Sequence, residues 1–174
     1  MNTKRGFTLI ELLIVIAIIS MLMAIGLSSF QSIMASSRLT SVANAMVSAL
    51  QLARFEALKQ HKQVVVTKNT SWTNGWIVFV DSNGNKAQDS NEPPLAIFDA
   101  LSSIIAVTNN LATASAGYVY YDANGRSNTK GTFSFCLPAG TNQDFRSVVI
   151  AVTGRTHVES TSTTPASTYA NDCQ

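Results

Sequence analysis

Residues 7–27 form an almost unbroken apolar run, FTLIELLIVIAIISMLMAIGL, in which only Thr8, Glu11, Ser20 and Gly26 are not hydrophobic. Its length is informative where its periodicity is not. At 1.5 Å per residue it predicts a helix of about 31 Å, which matches a hydrocarbon core of about 30 Å. The pattern then changes. No Pro or Gly occurs between Phe30 and Gly75, and Leu39, Val42, Met46, Ala49, Leu50, Ala53 and Ala57 recur at steps of three and four. Arg38, Asn44, Gln51, Arg54 and Lys59 lie between them. That is one apolar stripe on a polar helix, and without sustained heptads it suits docking on a sheet better than an independent coiled coil. The pattern predicts one helix from about Phe7 to about Gln60.

Beyond it the chain turns to short β-branched and aromatic runs at residues 63–67, 75–80, 95–98, 104–108, 118–122, 131–136 and 146–152. Turn residues such as Asn83-Gly84, Asn124-Gly125 and Gly154 separate them. About seven strands and one docked helix predict an α+β fold: a long N-terminal helix, transmembrane in its first half, packed on an antiparallel head. The segments are then 7–30 in the membrane, 31–62 as the amphipathic half of the helix, and 63–174 as the head. Residues 160–174 are rich in Ser, Thr and Ala, so they should be irregular unless tied down.

Charge narrows the function. Charged residues are 13% of the 174, about half the usual share, and hydrophobic residues are 46%. A disordered chain and a strongly basic nucleic-acid binder are both excluded by those values. The net charge of +2 exerts little pull on a polyanion. His61 or His157 could be assembled on paper into a Ser-His-Asp set, but no nucleophile elbow frames a serine. No Walker A loop is present either, so ATP must be handled by another protein. The expectation is a non-enzyme with no cofactor and no catalytic residue.

Glu11 is the anomaly of the apolar run. A carboxylate there costs up to a few kcal/mol and is normally retained for a partner. Lys4 and Arg5 precede the run and place the N-terminus in the cytoplasm, with the head across the membrane. A plain anchor or a cleaved secretory signal leaves Glu11 unexplained, and the run exceeds a 7–15-residue signal core.

The stretch Lys4-Arg5-Gly6-Phe7-Thr8-Leu9-Ile10-Glu11 resembles the prepilin leader of type IV pilins and type II secretion pseudopilins. The resemblance implies that residues 1–6 are a leader, that a membrane peptidase cuts between Gly6 and Phe7, and that Phe7 is N-methylated. It also implies that Glu11 pairs with the α-amino group of Phe7 in a neighbouring subunit, which relieves an orphan charge. Cleavage would remove Lys4 and Arg5 and leave ten basic and ten acidic side chains. Main pilus subunits commonly carry a Pro in the long helix. Here Gly26-Leu27-Ser28-Ser29-Phe30 has none, which points to minor pilins and pseudopilins.

Two stretches of the head extend the resemblance. Trp72-x-x-Gly75-Trp76-Ile77-Val78-Phe79-x-Asp81, and Arg146-Ser147-Val148-Val149-Ile150 followed by Thr153-Gly154-Arg155, are similar to the GspH/FimT class. Membership implies a minor pilin in the tip or priming complex of a type IV pilus, or a type II secretion pseudopilin. The implied partners are other major and minor pilins through the N-terminal helix, the prepilin peptidase, the inner-membrane assembly platform and membrane lipid. The implied location is the bacterial inner membrane, N-terminus cytoplasmic and head periplasmic, and then the extracellular pilus.

Three further sets of residues invite chemistry. Cys136 and Cys173 fall on the oxidising side of the membrane, where a bridge would persist. Closing that loop is worth about 3.5–4 kcal/mol in the loop-entropy account, and two buried thiols are the alternative. In residues 81–92, oxygen side chains at Asp81, Asn83, Asn85, Asp89 and Glu92 follow a calcium-loop order, although Lys86 stands where such a loop needs Gly. A polar hairpin built on Asx turns explains the same residues, and no metal is expected. Members of this class that take up DNA carry a Gly-Arg-x-Arg motif, matched here by Gly154-Arg155-Thr156-His157. His157 replaces the second Arg, and a neutral imidazole cannot fork onto phosphate. DNA contact by Arg146, Arg155 and His157, for natural transformation, is the rival reading.

Overall fold

The computed structural model describes residues 7–112, 117–137 and 145–159, with the side chains of 24–29 and 31–32 excluded. The predicted leader, residues 1–6, and Cys173 lie outside the described residues. The chain divides into two compact units, Met1–Ser37 and Arg38–Gln174, and helix α1 (Leu9–Gln60) contributes to both.

In the first unit α1 is apolar on every side. Leu9, Ile10, Leu12 and Leu13 are exposed, as are Ile14 to Ile16, Ile18, Ile19 and Met21 to Met23. A helix without a polar face belongs in lipid or against other apolar helices. Within the apolar run the Ser20 hydroxyl donates back to the Ile16 carbonyl at 2.7 Å, which satisfies it inside its own helix. Among the described residues no helix is long and apolar enough to cross a membrane. The described side chains of the run stop at Met23, and the rest of the predicted span to residue 27 lies outside them.

In the second unit the C-terminal part of α1 buries Leu39, Ala43, Met46, Ala49, Leu50, Ala53 and Ala57 completely. The stripe follows the predicted one except that Ala43 is buried and Val42 only half-buried. Four of these seven are alanines. The strands are β1 (Gln63–Lys68), β2 (Trp76–Asp81), β3 (Pro94–Phe98), β4 (Ala106–Asn109), β5 (Tyr118–Tyr121), β6 (Gly131–Cys136), β7 (Phe145–Ile150) and β8 (Thr156–Glu159). They form two antiparallel four-stranded sheets in the orders β3-β2-β1-β5 and β4-β6-β7-β8. Among the described residues eight strands replace the seven or so expected, because residues 156–159 add a strand beside β7.

Aromatic side chains fill the core. Trp76 stacks on Phe98 with ring centres 5.4 Å apart, and Trp72 meets Phe133 edge-on at 4.7 Å. Gly75 marks the entry to β2 with φ +90, where a Cβ would lie 2.1 Å from the Phe98 carbonyl oxygen, so only glycine fits. The edge strand β3 opens with Pro94 directly after Pro93.

Candidate functional sites on the helix and head

The first site is the start of α1. Thr8 precedes the first helical residue, and its hydroxyl accepts a hydrogen bond from the Glu11 backbone N–H at 3.3 Å. Glu11 Oε2 in turn accepts from the Thr8 backbone N–H at 2.9 Å and from the Thr8 hydroxyl at 3.0 Å. This is a reciprocal capping box, which satisfies two helix-end donors at once. Both bonds to the carboxylate fall on Oε2. Phe7, beside it, is 89% exposed. Gly6 lies outside the described residues, so the scissile bond itself is not seen. Thr8 is the residue missed by sequence reading, although the T-x-x-E spacing signals the box.

A second feature ties the helix to the head. Arg54 donates through Nε to the Gly125 carbonyl at 3.0 Å and through Nη2 to the Thr153 carbonyl at 3.2 Å. It thereby bridges the turn after β5 and the turn between β7 and β8. Gly154 makes room for the clasp. It sits at φ +82, and a Cβ there would lie 2.1 Å from the Gly125 oxygen and 2.9 Å from Arg54 Nε. Burial pushes the nearby Tyr121 hydroxyl well above its ordinary range, with the Arg54 charge opposing that rise.

The loop after β2 commits its oxygens internally. Asp81, buried, accepts from the Gly84 N–H at 2.6 Å and the Lys86 N–H at 3.0 Å. Asn83 and Asn85 both turn their amide nitrogens toward Asp89 Oδ2, at 2.7 and 2.8 Å. Glu92, also buried, accepts from the Ser82 N–H at 2.7 Å. A hard cation needs converging free oxygens, whereas this is a nest of Asx turns. Among the described residues no group of three or more His, Cys, Asp or Glu could hold a metal ion.

The candidate DNA residues do not converge. Arg146 stands opposite Phe135 near the start of β7, and its guanidinium donates to the Phe145 carbonyl at 3.0 Å. Arg155 is exposed beyond the far end of the same strand, after the Gly154 turn. About 13 Å of strand separates those ends. His157 lies 3.1 Å from Glu159 on β8, an exposed pair in which the carboxylate opposes any phosphate. Lys130 does share Arg155's end of the sheet. It lines a shallow groove of about 500 Å³ with Asn110, Thr132 and the backbone from Val149 to Val152. Cys136 is buried at the end of β6, and no described cysteine is free.

The sequence matches two family models, the type II transport protein GspH over residues 42–154 and the prokaryotic N-terminal methylation motif over residues 1–27. It is 32% identical over 92 residues to the pilin-like protein PilA1 of Thermus thermophilus, covering 52% of this chain and 56% of that protein. It is 38% identical over 82 residues to a fimbrial protein of Pseudomonas aeruginosa, covering 47% of this chain and 53% of that one. The chain thus spans about half the length of these relatives. Among solved structures it is similar to the type IV minor pilin FimU of Pseudomonas aeruginosa, with a TM-score of 0.60 and 26% identity over 76% of this chain and 96% of that one. The minor pseudopilin EpsH of Vibrio cholerae shares the fold, with a TM-score of 0.55 and 13% identity over 71% of this chain and 97% of that one. A methylation motif leading into a head of this fold places the chain in the GspH family, as a subunit of the minor pilin and pseudopilin kind found in type IV pili and type II secretion systems.

Proposed function

We propose that the protein is a minor pilin of a type IV pilus, acting in the tip or priming complex that starts the filament. The observation that favours a pilus over a secretion filament is the contrast in identity, 26% with FimU against 13% with EpsH at similar fold agreement. In this reading a peptidase cuts between Gly6 and Phe7, Phe7 is methylated, and α1 carries the subunit from the membrane into the filament. Glu11 accepts the Phe7 amine of a neighbour through Oε1, while Thr8 holds Oε2. Cys136 bridges to Cys173 and fixes the end of the head. The DNA-uptake reading is not favoured, since Arg146 and Arg155 occupy opposite ends of β7.

The experiment is deletion of the gene in its own bacterium, with complementation by an epitope-tagged copy. Loss of surface pili on deletion, with the tag recovered sparsely in sheared pili, is expected. Intact piliation together with a secretion defect would overturn the pilus assignment in favour of a type II secretion pseudopilin.

A further inference from the structure

Asn followed by Gly occurs three times, at Asn74-Gly75, Asn83-Gly84 and Asn124-Gly125. Such a pair can cyclise, because glycine has no Cβ to keep its backbone nitrogen from the asparagine side chain. Cyclisation still needs the glycine to swing toward that side chain, and packing opposes this at two of the three. At Gly75 a Cβ would lie 2.1 Å from the Phe98 carbonyl oxygen, and the Gly75 carbonyl accepts from the Asn69 N–H at 3.0 Å. Gly125 is buried against Leu58. Its N–H donates to the Asp122 carbonyl at 2.8 Å, and Arg54 holds its own carbonyl at 3.0 Å. Gly84 is different. It is exposed, and among the described residues a Cβ there would meet, beyond its chain neighbours, Lys86 Nζ alone at 3.9 Å. The Gly84 carbonyl is bound by that same ammonium, the end of a flexible side chain.

The groups around Asn83 are also placed for the reaction. Its Oδ1 accepts from the Asn85 N–H at 3.0 Å, an Asx turn that folds the side chain back over the Gly84 peptide. The Gly84 N–H donates to Asp81 Oδ1 at 2.6 Å, and Asn83 Nδ2 donates to Asp89 Oδ2 at 2.7 Å. We propose that Asn83-Gly84 is a site of self-modification, where the loop converts its own asparagine to aspartate and isoaspartate through a cyclic imide. The Gly84 nitrogen attacks Asn83 Cγ while Asp81, within the reach of a general base, takes its proton. Negative charge gathers on Oδ1, where the Asn85 N–H receives it. The Cγ–Nδ2 bond then breaks, and Nδ2 leaves as ammonia with the proton that Asp81 received, relayed by water. A second water opens the imide at either carbonyl, and nothing is oxidised or reduced. The aspartate product sets a carboxylate against Asp89 where an amide had donated, so attraction turns to repulsion and the loop loosens. No enzyme is required, so the change records the age of the subunit.

The test is ageing of the full chain at mildly alkaline pH, folded in detergent micelles and unfolded in guanidinium chloride, with peptide mapping that separates aspartate from isoaspartate. In the unfolded chain the three pairs should convert at similar rates. In the folded chain Asn83 should convert about tenfold faster than Asn74 and Asn124, and no slower than it does unfolded. Asp81→Asn should slow conversion at Asn83 in the folded chain and leave the unfolded rate unchanged. Asn83 as slow as the other two, or Asn124 converting first, would overturn the site. Undiminished conversion in folded Asp81→Asn would overturn the part given to Asp81.

Discussion

Arg54 Nε donates to the carbonyl oxygen of Gly125, 3.0 Å away and 71 residues further along the chain. With its second bond to Thr153, that side chain joins α1 to one turn from each sheet. Replacing it with Met keeps the aliphatic stem but strands two carbonyls. Arg54→Met should lower stability by about 1.5–3 kcal/mol, and Arg54→Lys should not restore it, because a single ammonium cannot span both acceptors. Gly154→Ala should be at least as damaging, since its Cβ enters the same clasp. Thermal melts of the purified variants measure both effects, and an unchanged melting temperature for Arg54→Met would refute the clasp.

Glu56 gives stability a dependence on pH. It is nearly buried on α1, and hydrogen bonds from Gln60 at 2.6 Å and Lys59 at 3.0 Å hold its carboxyl below the ordinary 4.5. A folded value lower than the unfolded one means that the contribution is complete above about 4.5 and fades as pH falls through the folded value. Denaturant midpoints of wild type and Glu56→Gln should therefore converge on acidification. Parallel curves from pH 7 to pH 3 would contradict this.

Thr8 and Glu11 separate helix capping from assembly. Thr8→Ser retains the hydroxyl and should behave as wild type, whereas Thr8→Val should cost the helix start about 1 kcal/mol. Glu11→Ala should still insert and still be cleaved, yet enter filaments poorly. Normal recovery of Glu11→Ala in sheared pili would remove the pairing with a neighbour's amine.

Processing can be read directly from mass. Mature protein should begin at Phe7 with one added methyl group, and a bulky residue at Gly6 should leave the leader attached. A mature terminus beyond residue 30 would point to ordinary signal peptidase.

For DNA, the head's near-neutral charge and the separated arginines predict binding no tighter than the non-specific range of about 10⁻⁴–10⁻⁶ M at physiological salt. Arg155→Gln should leave piliation intact. His157→Arg places a second guanidinium two residues from Arg155 and should raise affinity, with a steeper salt dependence. A fluorescence-polarisation titration of labelled duplex at two salt concentrations decides. Tight binding abolished by Arg155→Gln would promote the DNA-uptake reading.

Periodicity made most of the fold legible. The apolar run, the alanine-rich stripe from Leu39 to Ala57 and seven strands all announce themselves through spacing, because burial demands it. β8 did not. Thr156–Glu159 is four residues long, exposed along its length except at Thr156, and stabilised by pairing with β7 instead of by its own hydrophobicity. Arg54 looked like an ordinary solvated residue, since its partners are backbone carbonyls 71 and 99 residues away, and no side-chain pattern encodes those. Thr8 was readable from its spacing to Glu11.

Pro94 gives β3 a role in what this protein avoids. In the proposed role, a subunit held in a membrane pool would meet copies of itself at high density, and any open sheet margin there would invite one strand to zip onto another. Pro94, preceded by Pro93, offers no N–H at the point where such zipping along β3 would begin. Strand-to-strand pairing of one head with another would be discouraged on that side, which in the proposed role would leave joining through the helix unobstructed by tangling of the heads.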